Sequence, residues 1–286
     1  MDNVKLAQGN IFQGIRFIVR KYLNISFIKE PFKIILILLV NILAKLKKFK
    51  FPPKYQWDWK LEMLLNLYEK DTTALFKKII KPGMIIVDIG AHIGYYSRIF
   101  SKLAKEKKGG AVYAFEPDQD NYKLLKFNTK NSKNIRIFNE ALSDKAGSIS
   151  FYKSNNTGCH SLVTQNSVKE VATVPTQTLD NFIQENRVAK IDLIKIDVEG
   201  GEPVVFDGCK NIFKQSSLII VMEFTPDNFQ KLGLSPFSFL NNLQKSYGFS
   251  LYEIVSNGKI KNIQIENLNI ETIMRDKESI NLFLKK

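Results

Sequence analysis

The residues with the clearest chemical content stand in Val87-Asp88-Ile89-Gly90-Ala91-His92-Ile93-Gly94-Tyr95-Tyr96-Ser97. An apolar run ends in a carboxylate, turns on glycine and opens into a helical pattern, the context in which a glycine loop receives a ligand. A dinucleotide fingerprint starting at Gly90 needs glycine at positions 92 and 95, and those positions hold His92 and Tyr95. The second glycine lets backbone approach a pyrophosphate, so histidine there argues against NAD and FAD. No Gly-Lys-Ser/Thr closes the turn, which argues against a P-loop. What is left is D-x-G-x-x-x-G, with Gly90 and Gly94 for close approach and Asp88 as a strand-end acid. A second apolar run ends in Phe115-Glu116-Pro117, its acid 28 residues after Asp88. Asp88 suits a cation, such as the ammonium of an amino acid, and repels phosphate. Glu116 can accept hydrogen bonds from both hydroxyls of a ribose.

Together these acids select a nucleoside with a cationic amino-acid tail and no phosphates, a description that S-adenosylmethionine fits. Its sulfonium is an activated methyl donor, so a protein using it must align an acceptor, exclude water and manage one proton. A carboxylate or histidine within reach of an acceptor hydroxyl does the last of these. The candidates lie on Ile196-Asp197-Val198-Glu199-Gly200-Gly201-Glu202, on Glu223 and on His160. Asp197 and Glu199 share strand parity and can lie on one side. With Glu223 they also have the oxygen chemistry to hold Mg2+. Carboxylates alone specify hard cations only loosely, so no metal is assigned. Acids in a first helical turn also satisfy N-terminal N–H groups, which offers Glu199 and Glu202 a purely structural use.

Positioning these residues takes strands that alternate with helices. Residues 84–89, 111–116, 135–140, 191–197 and 218–224 read as strands, with helical stretches between most of them. Phe249–Ile254 and Ile270–Arg275 read as two more near the C-terminus. The alternation predicts right-handed βαβ crossovers and a doubly wound, mostly parallel sheet with helices on both faces. Between Ser143 and Asp180 it breaks: two extended segments, Ser148–Lys153 and Ala172–Thr178, flank a polar loop, Ser154–Gln165. That loop holds His160 and falls near the ligand-binding edge of the sheet.

Composition supports a folded chain of ordinary type. It has 286 residues, 44% of them apolar and 24% charged, which rules out disorder and a disulfide scaffold. Two cysteines and two histidines are too few for a Cys/His zinc cage, and a reducing cytoplasm is the expected compartment. The net charge of +14 is unevenly spread: residues 1–60 hold 12 Lys/Arg and 3 Asp/Glu, a net of +9, leaving +5 for the other 226. A nearly balanced body without a basic-aromatic stripe argues against nucleic acid. The sequence therefore divides into a basic, apolar N-terminal extension, 1–60, and a catalytic body, 61–286, with Phe51-Pro52-Pro53 as the linker signal. Within the extension an 11-residue apolar run, residues 34–44, follows Pro31 and Lys33 and precedes Lys45, Lys47, Lys48 and Lys50. It is short of a membrane span and starts too deep for a signal peptide. Two readings stay open: a helix in the membrane interface, contacting lipid through residues 25–50, or a helix packed on the body. The first places the protein peripherally on the inner membrane face.

The motifs VDIGAHIGYYS (87–97), AFEPD (114–118), NEALSDKAGSISFY (139–152), VPTQTLDNFI (174–183) and DLIKIDVEGGEP (192–203) resemble, in order, those of the FkbM family of S-adenosylmethionine-dependent methyltransferases. The resemblance covers residues 81–252 and implies the class I, seven-stranded, Rossmann-like fold. It implies Asp88, Gly90, His92 and Gly94 in the cofactor loop, although family members often carry asparagine where His92 stands. It further implies Glu116 on the ribose, Glu140 and Ala141 beside the adenine, and Asp197 facing cofactor and acceptor. The implied reaction is O-methylation of a sugar hydroxyl in a surface polysaccharide or glycolipid, with Asp197, Glu199 and His160 as catalytic candidates. The competing readings are a methyltransferase acting on a small secondary metabolite, and a membrane-associated protein that keeps only the fold.

Overall fold

The apolar runs assemble into one large sheet, described by a computed structural model for residues 26–154, 168–265 and 279–286. Three helices come first: α1 (Ser26–Leu46), α2 (Trp57–Leu65) and α3 (Lys70–Ile79). Next are β1 (Ile85–Ile89), α4 (Tyr95–Ala104), β2 (Ala111–Phe115), α5 (Gln119–Thr129) and β3 (Ile135–Phe138). An insertion contributes β4 (Ala141–Leu142), β5 (Gly147–Ser154) and β6 (Val168–Gln177). The alternation resumes with α6 (Leu179–Glu185), β7 (Leu193–Ile196), α7 (Glu202–Asp207) and β8 (Ile219–Phe224). It closes with α8 (Pro226–Lys231), α9 (Pro236–Lys245), β9 (Ser250–Val255), β10 (Lys259–Asn262) and β11 (Ile280–Lys285).

The main sheet has the order β10-β9-β11-β8-β7-β1-β2-β3. The five strands from β8 to β3 are parallel, and β11 runs antiparallel between β8 and β9. This is the expected doubly wound α/β sheet of seven strands, with β10 added at one edge. The expected strand over 270–275 lies outside the described residues. β11 follows it, buried at alternate and adjacent positions between two partners. A second sheet, β4-β6-β5, is built by the insertion, where β5 and β6 supply the two expected extended segments. Residues 155–167, with Cys159 and His160, lie outside the described residues.

Register explains how distant acids meet. Ile89 pairs with Phe115 and Ile196, and Ile196 pairs with Met222. The next residues, Gly90, Glu116, Asp197 and Glu223, therefore stand in one row at the C-terminal edge of the parallel strands, with Glu223 still paired to Asn281 of β11. Continuous apolar strands buried on both faces make this register costly to shift. Helix starts fix the connections: Asp118 accepts the N–H groups of Asp120 (2.9 Å) and Asn121 (2.8 Å) to cap α5. Thr178 caps α6 through the Asn181 N–H at 3.0 Å.

The N-terminal segment joins this core at its C-terminal end. α1 starts at Ser26, ahead of Pro31; a missing N–H near a helix start removes only one backbone bond. Val40 is buried, and Leu43 and Ala44 are half-buried in a cluster with Phe76, Phe100, Ile86 and Val112. Phe49 and Tyr55 belong to the same cluster. No described helix is long and apolar enough to cross a membrane. Asn128 ties the segment down: it accepts the Lys50 N–H (2.7 Å) and donates to the carbonyls of Lys50 (2.9 Å) and Ile93 (2.8 Å). Replacing Asn128 with alanine strands buried backbone groups and is expected to lower stability by about 1–3 kcal/mol in urea unfolding. An unchanged midpoint contradicts the described attachment.

Candidate active site

The glycine loop is held by backbone and carboxylate together. Gly90 has φ +74°, and a Cβ there would stand 1.8 Å from the Asp197 carbonyl oxygen, so the β1 and β7 ends close only around glycine. His92 has φ +50°, in the left-handed region where asparagine and histidine are favoured among side-chain-bearing residues. Glu116, buried at the end of β2, accepts the His92 N–H at 2.7 Å and the Asp118 N–H at 3.0 Å. Burial pushes its pKa up to about 8 against those two hydrogen bonds. Asn139 donates to the carbonyls of Glu116 (2.8 Å) and Pro117 (3.1 Å), joining β3's end to the same turn.

Asp88 does not open onto a crevice. It is fully buried, accepts the Ser97 hydroxyl of α4 at 2.5 Å, and lies 3.7 Å from the Lys195 ammonium. Burial raises its pKa, with Lys195 and Ser97 opposing. In this arrangement Asp88 positions α4 and Lys195. Gly94 (φ +85°) packs under α5, where a Cβ would meet Leu125 at 2.8 Å. Glu140 and Ala141 stand apart from this row, beyond β3. Glu140 accepts a hydrogen bond from Gln177, and Ala141 pairs with Thr176 in the smaller sheet. Burial raises the Glu140 pKa.

Asp197, Glu199 and Glu223 come together, each offering a carboxylate oxygen within 4.8 Å of the others. Glu199 has φ +52° and is followed by Gly200 at φ +102°, the sharp turn expected before α7. Burial first, and then Asp197 and Glu223, push the Glu199 pKa up to about 9. Burial and Asp197 push Glu223 up to about 8, although the Ser279 hydroxyl donates to it at 2.6 Å. Glu202 takes the structural use instead. It is buried and accepts the N–H groups of Val198 (3.3 Å) and Gly200 (3.2 Å), with burial raising its pKa to about 7.

Two charged residues of this site have no role that the sequence motifs assign. Lys195, buried in the middle of β7, bonds Asp197 at 3.1 Å and lies over the Tyr96 ring at 5.4 Å. Burial works against its charge, but Asp197, Asp88 and Glu69 overcome it and raise the pKa. A lone lysine in the apolar run IDLIKID is the signal that could have found it. Glu69, between α2 and α3, accepts the Tyr96 hydroxyl at 3.0 Å and the Asn281 amide at 3.4 Å. Burial and Asp197 raise its pKa. No motif surrounds Glu69, and only the tertiary fold brings it here.

Comparisons with known proteins establish the family. The sequence model of the Methyltransferase FkbM domain matches residues 88–251, more than half of the chain. The chain belongs to the FkbM methyltransferase family. Among curated proteins it is similar to a hexuronic acid methyltransferase, AglP, of Haloferax volcanii, 29% identical over 57% of this chain and 64% of that protein. It is also similar to a 2-O-methyltransferase, NoeI, of Sinorhizobium fredii, 30% identical over 49% of this chain and 63% of that protein. The matched part thus spans just under two thirds of each relative. Among solved structures, an FkbM methyltransferase from Methylobacillus flagellatus aligns with a TM-score of 0.43 at 14% identity, over 86% of this chain and 57% of that one.

For this FkbM member, the residues present fit the cofactor implied by the family. The strand-end row is acidic and offers acceptors for hydroxyl groups. Among the described residues its buried ammonium, Lys195, is already engaged by Asp88 and Asp197, which leaves it unsuited to hold phosphate. Replacing Lys195 with methionine leaves buried carboxylates unpaired and is expected to cost about 3–5 kcal/mol in urea unfolding. Adding Asp88→Asn to that variant should recover part of the loss. Additive losses in the double variant contradict the pairing.

Proposed function

We propose that the chain is an S-adenosylmethionine-dependent methyltransferase that methylates a sugar hydroxyl, in a surface polysaccharide or a glycolipid. The observation that carries this reading is the row of acids Glu116, Asp197 and Glu223 at the C-terminal edge of β2, β7 and β8, beside the glycine loop that follows β1, where doubly wound folds bind ligands. The names of the two relatives, one acting on a hexuronic acid and one a 2-O-methyltransferase, support the acceptor class. S-adenosylmethionine supplies the activated methyl group. The chain holds the cofactor through the Gly90–Gly94 loop and Glu116, with Glu140 and Ala141 on the adenine side. Asp197, kept beside Lys195 at 3.1 Å, faces cofactor and acceptor.

The acceptor proton goes to the cluster of Asp197, Glu199 and Glu223. Burial and the Asp197 charge raise the pKa of both Glu199 and Glu223, so once ionised each binds a proton more tightly than an ordinary carboxylate, which suits removal of a hydroxyl proton. Mg2+ has three oxygen ligands available here, but the proposed chemistry is complete without it. Replacing Glu199 with glutamine should lower kcat about 10²–10⁴-fold, with a smaller change in S-adenosylmethionine affinity. A loss of that size in His160→Ala, with Glu199→Gln unaffected, transfers the proton to His160.

A further inference from the structure

α1 is apolar on both sides, and only one side is used. Val40 packs inward, while Ile34, Ile35, Leu38, Leu39, Ile42 and Leu46 are each more than half exposed. Their spacing sets them along one continuous helical stripe, about 20 Å long at 1.5 Å per residue. Scattered exposed leucines need no explanation, but a contiguous apolar stripe marks an interaction surface. Exposed Lys45 and Lys48 stand at its C-terminal end.

A second feature adjoins that end. Lys47, which donates to the Leu64 carbonyl, forms one wall of a cavity of about 370 Å3 with an apolar floor that includes Phe49 and Leu64. Its other cations are Lys77, Arg98 and Lys102, and no carboxylate lines it. Among the described residues none of these four cations pairs with an acid. Arg98 is fixed in place, donating to the carbonyls of Lys47 and Lys48 at 3.2 Å each and lying over the Phe49 ring at 5.2 Å. Burial lowers the Lys102 pKa, and the Arg98 and Lys47 charges lower it further. The Tyr95 side chain also lines the cavity, and its buried hydroxyl makes no hydrogen bond of ordinary geometry. Uncompensated cations around an apolar floor are complementary to an anion carried on an apolar body.

We propose that the exposed stripe of α1 and the basic cavity beside Lys47 form one docking surface for an anionic lipid bilayer. The stripe lies in the interface plane and the cavity takes a headgroup phosphate. With Lys29, Glu30, Lys33 and Lys45 along its 21 residues the helix is not apolar enough to cross, yet its exposed side is long enough to lie along the headgroup boundary. Juxtamembrane lysines and arginines add electrostatic attraction that falls off within a Debye length. An apolar stripe alone would suit a protein partner as well. The excess positive charge of the segment, with no acid in the cavity, favours the lipid. This surface is separate from the acid row and does not depend on the methyl-transfer reading.

Vesicle flotation of the full chain tests it, using phosphatidylcholine alone and with about 30% phosphatidylglycerol. Flotation with the anionic vesicles is expected, at least about tenfold weaker with neutral ones and weakened again by about 0.5 M salt. Leu38→Gln/Leu39→Gln/Ile42→Gln and, separately, Lys77→Gln/Lys102→Gln should each reduce flotation about tenfold. Both variants should keep the unfolding midpoint and the S-adenosylmethionine affinity of the parent. Absence of flotation, equal binding to neutral vesicles, or variants that float like the parent overturn the proposal. So does a vesicle-independent dimer that the apolar variant dissolves, since the stripe then belongs to a second copy of the chain.

Discussion

The Lys195 ammonium holds this site together, because it is the buried cation among acids delivered by three separate parts of the chain. Asp88 comes from β1, Asp197 from the end of β7 and Glu69 from the turn between α2 and α3. Isolated charges of that kind are expensive to bury, and their cost is offset only when partners and hydrogen bonds are in place together. Ser97 on Asp88 and Tyr96 on Glu69 complete the arrangement. Both side chains come from α4, so the helix that follows the glycine loop is anchored by the same charges.

The consequence is a site with a surplus of acid. Lys195 balances only part of it, and burial drives Glu116, Glu199 and Glu223 toward their protonated forms, with pKa values of about 8, 9 and 8. Because these values lie above the unfolded carboxylate range, the native state holds extra protons between about pH 4.5 and 9. Each such group favours the fold most at low pH and loses that contribution as pH rises through its folded value. A cationic ligand reverses the balance by stabilising the ionised forms. The crowding of these acids and the proposed preference for a sulfonium share one cause.

Much of this arrangement is legible in the amino-acid sequence, and the limits have physical reasons. Strand ends can be read from apolar runs that stop at Asp88, Glu116 and Asp197, since a strand buried on both faces leaves a continuous signature. Pairing register cannot be read that way. Asp88 looks like a ligand-facing acid until β7, more than a hundred residues later, places Lys195 beside it. Glu69 carries no local signature at all, because its role exists only through Tyr96 and Asn281. The apolar run in α1 packs on the body through Val40 and leaves its other side exposed. Periodicity had little power to show which side would do so, since a helix apolar all round has no preferred face.

Proton release on cofactor binding tests the central claim most directly. Calorimetric titration with S-adenosylmethionine near pH 7.5, in buffers of different ionisation enthalpy, counts the protons that leave. Release is expected, a sizeable fraction of one proton per site, and less with S-adenosylhomocysteine, whose sulfur is neutral. Binding heats independent of buffer, or equal release with both ligands, contradict an acid row held protonated until a cation arrives.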